Sequence, residues 1–278
     1  CMKPTYFGTA AAEGLPAPFC DCPICTQARK EKGKNVRSRS QALVDDSLLL
    51  DFPADSYYHF LQNDVNMLQV TDLLITHSHS DHWYVRDLFI VFPPFGHHRE
   101  DYTLTLHGNE SVCDKLEEAA SAGNTRVFET VKVDRVKAFQ TFQAGEYQVT
   151  PLPADHCYSE NALFYLIERD GKALLYAHDT GYFLDSVWEY LATRKDLHLG
   201  LVSLDCTHGF EDQMTNHMSF SSNALVRDRL IEMGLADSET IFVCNHFSHN
   251  CGGTYSQVAT RAQEQGMLAS YDGMTVEF

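Results

Sequence analysis

Residues 73–83 read LLITHSHSDHW, an apolar run followed at once by His77, His79, Asp81 and His82. The apolar residues have the pattern of a buried strand, and directly after them comes the order H-x-H-x-D-H. Alternation along an extended segment puts His77 and His79 on the same side, where two imidazoles can share one ion. Asp81 and His82 come after the path turns and can face a second ion nearby. A polar surface loop would account for any one of these histidines. It does not account for so many ligand-type side chains at this spacing directly after a strand.

Working outward, the same arrangement recurs. His156 follows YQVTPLPAD, Asp179 follows LLYAH, and His246 follows TIFVCN. Taken singly, His156 and Asp179 read equally well as helix or turn caps. Together they suggest separate strands delivering metal ligands to one rim, where α/β folds build sites from loops. Periodicity predicts strands within 40–52 around Asp45-Asp46, a helix at 56–62, strands at 70–76 and 104–107, and a helix at 110–121. Strands at 126–136 and 147–152 come next, then a hairpin around Asp170-Gly171 joining 162–168 to 173–178. A helix at 184–194, strand 199–205, helix 220–233, strand 240–245, helix 256–265 and a last strand at 271–278 complete the order. Strands first, then strands alternating with helices, predict stacked sheets with helices outside. No repeat or linker divides the chain, so one domain over 1–278 is expected.

Composition narrows the function classes. The 278 residues are 44% hydrophobic, with no run long enough for a bilayer-spanning helix. The formal charge of −17, from 38 acids against 21 bases, repels long polyanions, so neither nucleic acid nor membrane is an expected partner. The stretch CMKPTYFGTA lacks the basic-then-apolar pattern of a secretory signal, and a cytoplasmic location is expected, with Cys1 before Met2 compatible with processing or trimming. The nine cysteines are odd in number, and Cys20, Cys22 and Cys25 lie too close together for an ordinary disulfide framework.

THSHSDH, PADH at 153–156, HDTG at 178–181 and NH at 245–246 together resemble the metallo-β-lactamase-fold hydrolases. The resemblance implies an α/β fold, a four-layer αββα sandwich, with a two-metal centre on one edge. It places His77, His79 and His156 on the first ion, and Asp81, His82 and His246 on the second. Asp179 would bridge both. Two divalent ions roughly 3.5–4 Å apart acidify a bridging water and stabilise charge on the attacked centre, which gives Asp81 a catalytic as well as a ligating role. Imidazole and carboxylate suit Zn²⁺ or Mn²⁺. Asp51, in LLLDF, resembles the family's buried acid behind the site; it reads equally as a partner for a ligand histidine or as a turn residue.

The segment PAPFCDCPICTQARK at 16–30 contains C-x-C-x-x-C, three thiolates able to close on one structural zinc if a fourth ligand is found. NHFSHNC offers His249 and Cys251. The combination resembles the phosphoribosyl 1,2-cyclic phosphate phosphodiesterases of the carbon–phosphorus lyase pathway, through GTA at 8–10, the proline-then-cysteine loop, THxHxDH and the run His246 to His249. That resemblance implies Cys20, Cys22, Cys25 and His249 as the zinc ligands, with Cys251 in reserve. It also implies that His217, in QMTNHMSFSS, is an active-site histidine holding a phosphate oxygen or protonating the leaving alkoxide; a helix-cap position is the plainer alternative. The chain departs from the group at Trp83-Tyr84-Val85-Arg86, and 89–101 is expected to reshape the site's mouth; Arg86, His97, His98 and Arg99 read as phosphate contacts or, at least as well, as residues of an exposed loop. His178 and His208 are left outside the metal list because neighbouring strand residues face opposite ways, and Cys157 is expected to be packing.

The expected function is a dinuclear metal-dependent phosphodiesterase of small phosphate esters, cyclic or linear. Hydrolysis of a lactone or thioester, or a non-catalytic metal-binding role in cofactor biosynthesis, are the alternatives. No oligomeric state is dictated by the sequence, a homodimer being one option.

Overall fold

The computed structural model describes residues 1–278. Strands β1 (Pro4–Gly8), β2 (Gln41–Val44), β3 (Leu48–Leu50), β4 (Asp72–Leu74), β5 (Leu104–Gly108) and β6 (Val131–Arg135) build a first sheet. Strands β7 (Phe142–Ala144), β8 (Tyr147–Pro153), β9 (Leu163–Arg169), β10 (Lys172–Ala177), β11 (Leu201–Asp205), β12 (Ile241–Asn245) and β13 (Leu268–Ala269) build a second. The closing strand β14 (Met274–Thr275) returns to pair antiparallel with β1. Helices are α1 (Pro23–Glu31), α2 (Ser56–Gln62), α3 (Glu110–Ser121), α4 (Asp185–Thr193), α5 (Phe220–Glu232) and α6 (Tyr255–Glu264).

The strands are apolar on both faces because both faces are covered. Leu48, Leu50 and Leu74 of the first sheet meet Tyr165, Ile167 and Tyr176 of the second in a core between the sheets. Their neighbours Leu49 and Leu73 point the other way, into a layer with Val112 and Leu116 of α3. On the far side, Phe164, Leu166 and Leu175 pack with Val187 of α4, Val226 of α5 and Val258 of α6. Period-two alternation between two buried faces thus yields helix, sheet, sheet, helix, the expected αββα sandwich.

The expected elements that moved did so for reasons of pairing. Residues 125–129 form a 3₁₀ turn rather than strand, because β5 begins at Leu104, which pairs with Val131, and nothing upstream offers a ladder. Val127 is buried in the helix-side layer instead. The last strand is shorter than 271–278, although hydrogen bonds to β1 and its flank continue through Val276 and Phe278. β1 carries no alternation to betray it. It is held by β2 on one side and the C-terminus on the other, and at its bulge a Cβ on Gly8 would lie 1.8 Å from the Arg39 carbonyl oxygen. The cysteine segment is loop only at first; its second half is α1, started by Pro23 and capped by the Cys22 sulfur accepting from the Cys25 amide.

His59 of α2 is buried with Nδ1 2.6 Å from Gln41 Oε1 and Nε2 2.6 Å from Ser38 Oγ. Burial pushes its pKa down to about 4 against the opposing charge of Asp55. A folded pKa below the unfolded value, about 6.5, means that its contribution is complete above that pH and is lost as pH falls toward 4. In urea melts His59→Gln should therefore flatten the acid limb of stability by up to about 1.4 kcal/mol per pH unit relative to the parent. Parallel limbs would refute this.

Candidate metal centre

β3 and β4 run parallel, and so do β10, β11 and β12, while β8 and β10 are both antiparallel to β9. The C-terminal ends of these strands therefore share a rim. Asp51 follows β3, His77 β4, His156 β8, Asp179 β10 and His246 β12, and Asp205 is the last residue of β11. His77, His79 and His156 form one group of converging donor atoms, and Asp81, His82, Asp179 and His246 another, each within 4.8 Å. His77 Nε2 and His79 Nδ1 are 2.9 Å apart. Asp179 stands between the groups. Its Oδ2 is 2.9 Å from His82 Nε2, 3.5 Å from His77 Nε2 and 3.6 Å from His156 Nε2, while Oδ1 is 2.7 Å from His246 Nε2. Asp81 Oδ2 approaches His82 Nε2 at 3.1 Å.

The contacts to the Asp179 and Asp81 carboxylates are not hydrogen bonds, whereas His77 and His79 do face each other at hydrogen-bond distance. His82, His156 and His246 Nε2 and Asp179 Oδ1 are all buried without a hydrogen-bond partner, although other donor atoms crowd them. Buried polar atoms are normally paired, and leaving them unpaired is costly. Lone pairs converging on a point suit a cation: with bonds of about 2.0–2.2 Å, ligand atoms sit roughly 3–3.5 Å apart. The residues present thus fit two divalent ions, with Asp179 able to reach both.

The other face of each ligand is fixed by a repeated device. The Asp51 carboxylate accepts from His82 Nδ1–H at 2.6 Å and from the Thr76 hydroxyl at 3.1 Å, and that hydroxyl accepts from His77 Nδ1–H at 2.9 Å. The Asp205 carboxylate accepts from His217 Nδ1–H at 2.8 Å and from the Thr207 hydroxyl at 2.7 Å, and that hydroxyl accepts from His246 Nδ1–H at 2.8 Å. Each buried acid holds one histidine directly and a second through threonine, one pair for each sheet. His156 Nδ1–H donates to the Asn216 carbonyl at 3.2 Å. In the ligand histidines His77, His82, His156 and His246 such a bond commits Nδ1 to hydrogen and turns Nε2 toward the place an ion would take.

Charge follows the same logic. Burial raises the Asp179 pKa, but His246 and His82 outweigh it and hold the carboxylate well below the ordinary range. Burial and the neighbouring His82 push His77 well below the usual imidazole value. Burial lowers His82 and His246 too, but the Asp179 carboxylate outweighs it and raises both, so in the protein alone they act as its counter-charge; ligation would take them in the neutral form and the carboxylate ionised. For His217, burial lowers the pKa and the Asp205 carboxylate more than reverses it, to about 9. His217 is half-buried, its ring centroid 4.9 Å from that of His156 and 5.7 Å from that of His246.

The cysteine segment reaches the same loop as His246. Cys20, Cys22 and Cys25 sulfurs lie 3.1, 3.7 and 3.4 Å from His249 Nδ1. A tetrahedral zinc, with Zn–S about 2.3 Å and Zn–N about 2.0 Å, sets S···N near 3.6 Å. Burial raises the Cys22 thiol pKa, but the Cys25 amide and His249 bring it down to about 6. Cys251 is turned away toward the Gly253 carbonyl at 3.2 Å. Backbone bonds from Phe247 to Thr9 and from Ala11 to Phe247 lock the N-terminal segment to the ligand loop.

Asp205 went unnoticed in the sequence. The signal was there: it ends LVSLD just as the other acids and histidines end their strands. The 89–101 segment is corrected more sharply. It does not line the mouth of the metal site; Ile90, Val91, His97 and His98 line a separate cavity that contains no residue of the metal groups. His98 is occupied by the Val91 and Arg99 carbonyls, and Arg99 pairs with Asp101. Beside the converging donor atoms, a cavity of about 660 Å³ opens at His156, lined also by Lys137, Tyr158 and Leu184. Cys157 faces this cavity, half-buried, and is not core packing. His178 is buried against Ser203 at 2.7 Å and His208 lies 6.0 Å from His217 between ring centroids, so neither joins a ligand group.

Comparison with known proteins agrees with this architecture. The family model described as "Beta-lactamase superfamily domain" matches residues 59–230. A ribonuclease Z of a Picosynechococcus strain is 26% identical over 155 residues, 56% of this chain and 44% of that protein. A coenzyme PQQ synthesis protein B of Methylobacterium radiotolerans is 29% identical over 165 residues, 55% of this chain and 49% of that protein. The chain thus spans less than half the length of each of these curated relatives. A crystal structure described as a diphosphatase from the PhnP family superposes with a TM-score of 0.73 at 20% identity, covering 100% of this chain and 97% of that one.

Proposed function

Because the chain belongs to the beta-lactamase superfamily, we propose that it is a dinuclear metal-dependent phosphodiesterase acting on small phosphate esters. His77, His79 and His156 would hold one divalent ion, Asp81, His82 and His246 the other, with Asp179 within reach of both. When bound, such ions supply an activated water at neutral pH and neutralise charge on the attacked centre. Zn²⁺ and Mn²⁺ both suit the donor set.

The observation that carries the reading is the Asp205–His217 pair at 2.8 Å. Asp205 keeps Nδ1–H engaged and favours the imidazolium, leaving Nε2–H as a proton donor on a ring packed between His156 and His246. An acid so placed serves a substrate whose leaving group departs as an alkoxide, and its charge also favours an anionic substrate. Thioesters need neither. Small substrates are favoured over RNA by the net charge of −17, since a long polyanion feels the whole surface and a small one chiefly the site.

The test is a panel of cyclic and linear phosphodiesters, lactones and thioesters with the metal-reconstituted protein. Phosphodiesters should lead. His217→Ala should slow alkyl diesters by about 10²–10⁴-fold and nitrophenyl esters, whose leaving group needs no proton, far less. Equal losses on both, or lactone turnover leading the panel, would sink the assignment.

A further inference from the structure

The stretch after the metal motif departs from its surroundings in a way that the proposed reaction does not use. Trp83 is buried and its indole N–H donates to the Val112 carbonyl at 3.0 Å. The chain then makes only a 3₁₀ turn over Val85–Ile90 before Pro93 and Pro94 halt it. A short turn covers less of the outer face of the first sheet than a full helix would. Beneath it, against α2 and Leu104 of β5, lies a cavity of about 530 Å³. That is within the roughly 300–1,000 Å³ of small-molecule sites. Phe52, Phe60, Met67, Leu88, Val91 and Tyr102 form its walls. Its rim leaves Tyr57 68% and Ile90 56% exposed, apolar surface that a monomer has no reason to gather in one place.

The polar groups in the cavity decide what it would accept. The Ser56 hydroxyl donates to the Pro53 carbonyl and accepts from Gln41. Both ring nitrogens of His98 face carbonyl oxygens of Val91 and Arg99. His97 sits at the exposed rim. Asp87 is different: it is half-buried, and burial alone raises its pKa, with no cation or donor of the chain offsetting that cost. One unspent carboxylate among apolar walls is too few ligands for a metal ion. It complements an ammonium on an apolar body.

We propose that this cavity is a second binding site, separate from the metal centre, for a small apolar molecule carrying a primary amine, with Asp87 as the counter-charge. The probe is 2-phenylethylamine, with neutral 2-phenylethanol and anionic 3-phenylpropionate as controls, titrated calorimetrically into the metal-loaded full chain. The amine should bind about tenfold or more tighter than the alcohol, as a charge-assisted hydrogen bond adds, and the propionate weakest. Asp87→Asn should bring the amine down to the alcohol's affinity while metal content and phosphodiester turnover stay unchanged. Val91→Trp, which fills the cavity, should remove binding of amine and alcohol alike; should that variant fail to fold, the Asp87→Asn comparison still decides. Amine binding that survives Asp87→Asn, as it would if the amine sat on the catalytic ions, overturns the proposal. So does an amine no tighter than the alcohol, or no binding by either.

Discussion

On the proposed function, Asp179→Asn is expected to abolish hydrolysis, by on the order of a thousandfold or more, while the chain keeps its fold and the zinc proposed at Cys20, Cys22, Cys25 and His249. Asn keeps the volume and removes the charge. That charge is what balances the imidazoles around it: Asp179 Oδ1 lies 2.7 Å from His246, and Oδ2 within 3.6 Å of His77, His82 and His156. A neutral amide offers one weakly ligating oxygen and puts an N–H₂ where a lone pair is required. Metal analysis should show the loss directly, with about three ions per chain falling to about one. A variant that keeps both catalytic ions and turns over within tenfold of the parent would mean that the ions do not meet at this carboxylate.

The second large effect is expected at Cys25. Its sulfur is fully buried, accepts from the Ala17 amide at 3.3 Å and lies 3.4 Å from His249 Nδ1. Around it only Leu15, Ala17 and Ala28 form a core, too small to hold the segment unaided. Cys25→Ser should release the zinc and cost several kcal/mol, since structural zinc binding is itself folding free energy on the order of 10 kcal/mol in small domains. The damage should spread. His249 and His246 share one loop, and the backbone bonds of Phe247 to Thr9 and Ala11 carry the N-terminal segment. Thermal melts with metal counting should show a lowered midpoint, one ion fewer, and weaker retention of the ion at His246. An unchanged melt with the zinc lost would show that packing alone orders the loop.

How legible these features were in the sequence depended on whether their cause was local. The helix over 110–121 was visible because Asn109 caps it and its apolar residues repeat at helical spacing. His77, His79, Asp81 and His82 were visible because one strand end supplies them all. β1 was not visible, since five residues bounded by Pro4 and Gly8 show no periodicity and owe their extension to the neighbours they pair with. The 126–136 stretch looked like one strand because Val127 and Val131 are both apolar; both are buried in the same helix-side layer, Val127 from a 3₁₀ turn and Val131 from β6. Asp51 and Asp205 show the same limit. Each reads as an acid closing a strand, and which histidine it holds depends on which strands become neighbours.

The cluster from His77 to His82 at a strand end, the cysteine triplet and a class of stacked sheets with helices outside were legible in the sequence alone, because apolar runs ending in imidazole, carboxylate or thiol are short-range patterns; the αββα sandwich itself came from the resemblance those motifs carry. Only the tertiary structure decided that Asp51 and Asp205 each grip a pair of histidines, that His249 rather than Cys251 faces the thiols, and that the 89–101 segment lines an apolar cavity away from the converging histidines. Those outcomes rest on contacts between residues tens to hundreds of positions apart. Such contacts are set by sheet register and layer packing, and no window along the chain contains them.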